Sequence, residues 1–134
     1  MDTDKLATKL VKWIREKVEA AGAKGAVFGM SGGLDSSVIA ALCIKAFPDH
    51  CLGLIMPCYS IDEDREHAEL VAKKFNIRTH VTYLNDIVDV YLNTLPVFDA
   101  DSLVKRLAQA NLKARIRMVT LYYAANQLNY LVVG

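Results

Sequence analysis

The central feature of this sequence is Ala26-Val27-Phe28-Gly29-Met30-Ser31-Gly32-Gly33-Leu34-Asp35-Ser36-Ser37. The apolar run at residues 26–30 predicts a strand buried on both faces, and residues 38–47 continue as a helix. A glycine-rich turn between strand and helix directs backbone N–H groups and a helix N-terminus toward one point, which suits phosphate. Its glycines permit a sharp turn, its serines can cap the helix, and its aspartate can hold a divalent cation beside the phosphate.

Predicted helices and strands alternate along the rest of the chain. The helices are expected near residues 5–21, 36–47, 60–75, 85–95 and 103–126, and the strands near 26–30, 51–56, 78–84 and 130–133. Ser60 and Glu63 have the spacing of a capping box, and Asn85 or Asp86 is the predicted cap of the next helix. The α-β-α-β-α-β-α-α-β order is typical of an α/β protein with a doubly wound parallel sheet, whose ligands bind outside the carboxyl ends of the strands.

The composition limits the class of protein. The chain has 134 residues, of which 53% are hydrophobic, so it can bury a real core. The formal net charge of +1 provides no general attraction to nucleic acid or to a membrane surface. The apolar runs are too short to span a membrane, and the N-terminus lacks an apolar signal core. Three cysteines without a C-x-x-C pair favour a reduced, cytoplasmic setting.

The last residue, Gly134, follows the fourth predicted strand directly. In a doubly wound sheet such a strand normally leads into a loop and a covering helix. We therefore expect the chain to be a fragment, or the ordered part, of a longer protein. The residues that complete the far wall of the site are then expected beyond Gly134.

The glycine-rich loop differs from three common motifs. It lacks the G-x-x-x-x-G-K-[ST] pattern of a P-loop, the G-x-G-x-x-G dinucleotide spacing and the G-x-S-x-G nucleophile elbow. Residues 31–36 instead resemble the PP-loop, S-G-G-x-D-S, of the ATP pyrophosphatase family. An ordinary strand–helix turn capped by Asp35 and Ser36 is the alternative, but it would not require this whole combination.

A second segment narrows the resemblance. Residues 110–118, ANLKARIRM, resemble the N-x-K-A-R-x-R-M segment of ammonia-dependent NAD synthetases, and residues 57–69, 122–124 and 131–134 also fit that family. The match covers essentially the whole chain but only the N-terminal half of the family. It implies ATP-dependent amidation of deamido-NAD to NAD with ammonia, through an adenylate, with release of AMP and pyrophosphate.

The resemblance also implies a fold and a set of site residues. Residues 1–134 would form one ATP-pyrophosphatase-type domain, Rossmann-like and of the adenine nucleotide alpha hydrolase type, truncated after the fourth strand. ATP and Mg²⁺ would be required, the protein would be a homodimer, Asp35 would bind the metal ion and Arg117 would contact deamido-NAD. No catalytic residue is assigned. The ATP-binding residues would be Gly29, Met30, Ser31, Gly32, Gly33, Leu34, Asp35, Ser36 and Ser37.

Helical geometry separates the two arginines of the second segment. At roughly 100° per residue, Lys113 and Arg117 lie on one flank and Arg115 lies roughly 160° away. We therefore expect Arg117 at the site and Arg115 in a structural or intersubunit contact, with the role of Lys113 left open. A solvated face is the alternative for such charges. The predicted apolar face of this helix comprises Leu107, Ala110, Ala114, Met118, Leu121 and Ala125.

Several alternatives remain open at this point. GMP synthetase carries a similar loop, so another PP-loop enzyme is possible, and a non-catalytic ATP-binding fragment is a third hypothesis. The acidic residues 62–64 are a candidate metal site, but their place at a helix start favours capping. The broadly apolar helix near residues 87–95 is either part of the core or a surface for a second subunit.

Overall fold

The computed structural model describes residues 2–134. Its elements follow the predicted order, which is confirmed: α1 Thr3–Ala20, β1 Gly25–Gly29, α2 Leu34–Ala46, β2 Cys51–Ile55, α3 Asp62–Phe75, β3 Thr79–Val81, α4 Asn85–Thr94, α5 Ser102–Leu128 and β4 Tyr130–Val132. Within these residues, no helix has both the length and the apolar composition needed to cross a membrane.

The sheet is parallel throughout and has the strand order β3-β2-β1-β4. From β1 the chain proceeds outward to β2 and β3. It then returns through α4 and α5 to the opposite side of β1, where β4 pairs with it. This reversal is a topological switch point, and open α/β sheets bind their ligands at such a point, beyond the carboxyl ends of the strands.

Both faces of the sheet are covered, as the doubly wound prediction requires. Side chains alternate along β1, so Ala26 and Phe28 join a cluster with α2 and α3, whereas Val27 joins a cluster with α4 and α5. Ile14 and Val18 of α1 pack in a third cluster beside α2 and β4. The apolar run of β1 has no polar position because each of its faces meets a helix layer.

The three cysteines are core residues. Cys43, Cys51 and Cys58 are buried and free. Burial raises the pKa of Cys43 and of Cys51 from 9.0 to about 12. Because the thiolate is the reactive form of cysteine, the thiols of Cys43 and Cys51 stay protonated and unreactive near neutral pH.

Two predicted helix starts are wrong in detail. The N-cap of α3 is Ile61, and no side chain caps this helix. The Ser60 hydroxyl instead accepts the N–H of Cys58 at 3.3 Å and donates to the Cys58 carbonyl at 3.4 Å, a local bond that competes with capping. The N-cap of α4 is likewise Leu84, while Asn85 is the first helical residue. The acidic first turn of α3 still complements the helix dipole.

The predicted buried face of α5 is right in its second half, where Ala125 is buried and Leu121 packs against the core, and wrong before it. Leu107 is 56% exposed and Met118 is 43% exposed. The side that packs on the sheet also carries Leu112, Ile116 and Ala124, which were not predicted to face the core. Residues 102–111 at the start of α5 are all exposed, and they carry an apolar stripe of their own. The prediction failed there because it assumed a single apolar face along the whole helix.

The third strand is shorter than predicted. It comprises Thr79–Val81, within the predicted range 78–84. The hydrogen bonding continues beyond it, since the Thr82 N–H donates to the Ile55 carbonyl at 2.8 Å and the Leu84 N–H donates to the Pro57 carbonyl at 2.9 Å. These bonds keep the start of α4 beside the carboxyl end of β2.

Candidate functional site

The glycine-rich loop lies at the carboxyl end of β1, at the switch point of the sheet. Gly32 has a φ of +86°, in the left-handed region that favours glycine. A Cβ atom at this position would lie 2.6 Å from the carbonyl oxygen of Asp64 and 3.1 Å from the Cβ of His67. The loop therefore packs directly against the first turns of α3, and the contact accepts only glycine.

Serine hydroxyls hold the loop to the start of α2. The Ser36 Oγ donates to the Gly33 carbonyl at 3.2 Å and accepts the N–H of Ser31 at 3.3 Å. The Ser31 Oγ lies 3.1 Å from the Ser36 Oγ and accepts the N–H of Gly33 at 3.3 Å. Ser37 also donates to the Gly33 carbonyl, at 2.8 Å. These hydrogen bonds of the serine side chains thus stabilise the conformation of the loop. The N-cap of α2 is Gly33 and not a serine.

The N-terminus of α2 is suited to an anion. The first N–H groups of a helix have no partner within the helix, and Gly33 provides no side-chain acceptor for them. The helix dipole adds a partial charge of about +0.5 at this end. Backbone N–H groups and a positive dipole directed at one point form a phosphate-binding arrangement.

A cavity of about 440 Å³ opens beside the loop. It lies between the carboxyl ends of β1 and β2, the start of α3 and the middle of α5. The structure brings four predicted site residues to it, Gly29, Met30, Ser31 and Arg117, whereas residues 32–37 are not part of its lining. Its lining comprises Gly29, Met30, Ser31, Ile55, Met56, Pro57, Ser60, Asp64, Arg65, Arg117 and Leu121.

Arg117 reaches this cavity from α5. Its Nε donates to the carbonyl of Met56 at 3.1 Å, at the carboxyl end of β2. This bond orients the guanidinium group and uses one of its five N–H donors. The remaining donors form a planar fork of the kind that binds carboxylate or phosphate.

Arg115 lies elsewhere, in agreement with the predicted separation of the two arginines, and Lys113, predicted on the flank of Arg117, does not line the cavity either. Arg115 lines a second cavity of about 590 Å³, formed by α4, α5 and the segment between them, together with Leu95 and Phe98. The Lys113 Nζ lies 5.4 Å from the centre of the Tyr59 ring, a cation–π distance. The structure thus places the charges of the second segment in three different environments.

Tyr59 anchors the loop between β2 and α3, one wall of the first cavity. Its φ of +51° is unusual for an aromatic residue. Its N–H donates to the Asn85 Oδ1 at 3.3 Å, and its hydroxyl donates to Asp89, whose carboxylate oxygens lie 2.6 and 2.7 Å away. The bond to Asp89 raises the pKa of Tyr59. These contacts tie the segment that carries Pro57 and Ser60 to α4.

Asp35 lies in the first turn of α2 and is exposed. Across residues 2–134, no group of three or more His, Cys, Asp or Glu side chains is arranged to hold a metal ion, and this applies to residues 62–64 as well. In nucleotide sites Mg²⁺ is commonly held by one or two carboxylates together with phosphate oxygens. Asp35, beside the loop amides, fits the protein's share of that donor set.

Three polar residues of the cavity lining, Ser60, Asp64 and Arg65, were not among the predicted nucleotide-binding residues. They lie just after the carboxyl end of β2, which neighbours β1 in the sheet. Their position in the sequence could have indicated the site, because the carboxyl ends of adjacent parallel strands lie at the same edge of the sheet. The acidic pattern there was interpreted as helix capping instead.

Comparison with known proteins identifies related sequences along almost the whole chain. Residues 6–134 match the NAD synthase family model. The chain is 47% identical over 134 residues to the NH3-dependent NAD+ synthetase of Finegoldia magna. This match covers 100% of the present chain and 54% of the relative. The chain spans about half the length of the curated relatives it matches.

Solved structures agree with this result. The NH3-dependent NAD synthetase from Campylobacter jejuni has a TM-score of 0.89 at 30% identity, covering 100% of this chain and 56% of that one. An NMN synthetase from Francisella tularensis has a TM-score of 0.91 at 28% identity, covering 100% of this chain and 54% of that one. Both structures share the present fold along its entire length.

Proposed function

The chain belongs to the NAD synthase family, and on that basis we propose that its protein is a C–N ligase that makes NAD from deamido-NAD, ammonia and ATP. One observation carries the proposal beyond family membership. Ser31, the first residue of the S-G-G-x-D-S loop, and Arg117 of the distant N-x-K-A-R-x-R-M segment line one cavity at the switch point of the sheet. Both motifs of the family resemblance therefore serve a single site.

The proposed reaction has two steps. The nicotinate carboxylate of deamido-NAD attacks the α-phosphorus of ATP, and the bond to pyrophosphate breaks. Ammonia then attacks the carbonyl carbon of the adenylate, AMP leaves, and the nitrogen loses a proton to give the amide. The protein acts mainly by holding the reactants in line and by stabilising negative charge.

The residues of this chain divide that work. Residues 31–37 bind the pyrophosphate part of ATP, with N–H groups at the start of α2 as donors. Gly29, the last residue of β1, and Met30, which follows it, line the cavity on the side of the sheet. Arg117, held by the Met56 carbonyl, binds an anionic group of deamido-NAD. Asp35 holds Mg²⁺, which offsets phosphate charge when bound.

The identity of the acceptor substrate is tested by measuring the rate of pyrophosphate release from ATP by the full-length protein with each candidate acceptor. Deamido-NAD with ammonia is expected to give the fastest release. The similarity to an NMN synthetase makes the mononucleotide acceptor that yields NMN the second candidate, and the loop alone would also permit xanthosine monophosphate. Release with xanthosine monophosphate only would indicate a GMP synthetase. ATP binding without release for any acceptor would indicate a non-catalytic nucleotide-binding protein.

We also propose a homodimer, formed through α4 and α5 in a cytoplasmic protein. The side chains of Val97 and Phe98 are 83% and 76% exposed, beside the second cavity, and Val90 and Tyr91 of α4 are exposed on the same pair of helices. Several large apolar residues exposed on one part of a protein are typical of an interface. Light scattering of the full-length protein should give twice the mass of one chain, and a monomer at micromolar concentration would contradict the proposal.

A further inference from the structure

We propose that Arg65 binds a phosphate oxygen in the pyrophosphate part of ATP. Arg65 lies on α3, whose buried residues pack with α2 on one face of the sheet, whereas Arg117 lies on α5 on the other face. Both side chains line the same cavity. The inference rests on the proposed function, since it assumes that the loop binds ATP.

The position of Arg65 follows from the contact between α3 and the loop. The Asp64 carbonyl approaches Gly32 so closely that a Cβ there would lie 2.6 Å from it. Arg65 is the next residue, and it lines the cavity together with Asp64 and Ser31. The first turn of α3 therefore places this guanidinium group at the rim of the phosphate loop.

Arg65 is available for a new partner. Its Nη1 lies 3.8 Å from the Glu69 Oε1, and the two side chains are 31% and 46% exposed. This separation is longer than that of a charge-assisted hydrogen bond, and an exposed pair of this kind is weak. A phosphate group offers two oxygens to the planar guanidinium and is the stronger partner.

The charges of the cavity favour such a contact. Its lining includes two arginines, Arg65 and Arg117, and one carboxylate, Asp64. The Arg117 Nε is held by the Met56 carbonyl, so that arginine has a fixed orientation. Arg65 has no comparable backbone bond among the contacts of residues 2–134, so it can turn toward the tail of the nucleotide.

The test compares affinities of the full-length protein for ATP, pyrophosphate and AMP by calorimetry, using Arg65→Ala and Arg65→Lys. A lost charge-assisted contact is expected to weaken ATP and pyrophosphate binding by about 10-fold or more in Arg65→Ala, with AMP changed by less than about 2-fold. Arg65→Lys should be intermediate, because lysine keeps the charge but not the fork.

Two control variants separate binding from packing. Glu69→Gln removes the present partner of Arg65 and should leave ATP affinity unchanged or slightly tighter. Arg78→Ala removes an exposed arginine just before β3, at the amino end of that strand, and should have no effect. Arg65→Ala binding ATP as tightly as wild type, or losing ATP and AMP affinity equally, would overturn the inference. Wild-type protein that binds no ATP would overturn the proposed function itself. If Arg65→Ala does not fold, Arg65→Lys carries the same comparison.

Discussion

Replacing Gly32 with alanine should reduce the ATP affinity of the full-length protein by more than about 100-fold, the effect of losing several aligned donors at once. The φ of +86° is unfavourable for any residue with a Cβ, at a cost of about 1–2 kcal/mol. The added methyl group would also lie 2.6 Å from the Asp64 carbonyl oxygen. That oxygen belongs to the backbone of a helix and cannot rotate away, so the loop itself must shift and its N–H groups lose their common direction.

Gly22 provides the matched control for this variant. It also has a positive φ, +72°, but a Cβ there would meet nothing within 4 Å. Gly22→Ala should therefore lower the thermal stability through backbone strain alone and leave ATP affinity unchanged. Calorimetric titration with ATP and a thermal melt of each variant make the comparison. Gly32→Ala binding ATP within about 3-fold of wild type would show that the loop does not hold the nucleotide as proposed.

Replacing Asp35 with alanine in the full-length protein should lower the rate of pyrophosphate release by about 100-fold or more, the scale of a lost charge-stabilising group. Asp35 is exposed at the start of α2, so its removal opens no cavity and should leave the melting temperature nearly unchanged. The dependence of ATP binding on Mg²⁺ should also weaken, because the protein's proposed carboxylate for the metal ion is gone.

Asp86→Ala is the control for Asp35→Ala. Asp86 is the second residue of α4, as Asp35 is the second residue of α2, and neither helix has a side-chain N-cap. Any general effect of removing a carboxylate from a first helical turn should appear in both variants. Pyrophosphate release that is unaffected by Asp35→Ala, or reduced equally by both changes, would contradict the metal-binding role of Asp35.

The layers of the fold were predictable because they follow from local patterns. The unbroken apolar run at residues 26–30 predicted a strand buried on both faces, and Val27 and Phe28 do pack on opposite helix layers. The helix–strand alternation then required a parallel sheet. Since ligand sites of such sheets lie at the carboxyl ends of the strands, the position of residues 31–37 at the switch point was also within reach.

Other features depend on contacts that no local pattern records. The buried side of α5 was predicted correctly at Ala125 but wrongly at Leu107, because Leu107 and Ile116 belong to different apolar stripes of one long helix. Ser60 has the spacing of an N-cap, yet its hydroxyl bonds the backbone of Cys58. In both cases the tertiary environment selected among local options of similar energy.

The wall of the cavity was the least predictable part of the site. Arg65 has the sequence context of a solvated helix residue, and only the packing of α3 against Gly32 places it beside the loop. The left-handed backbone of Tyr59 is equally hidden in the sequence, because its cost is offset by bonds to Asn85 and Asp89, which follow much later in the chain.

The bonds among Ser31, Gly33 and Ser36 have a thermodynamic consequence. These groups already satisfy one another without a ligand, so the loop holds one shape before a nucleotide arrives. Because the loop already has its shape, binding orders little additional backbone and costs little conformational entropy. The affinity then depends on the unpaired N–H groups at the start of α2, on the helix dipole and on the nearby cations. The affinity for nucleotide should consequently fall as the ionic strength of the solution rises, and it should depend less on temperature.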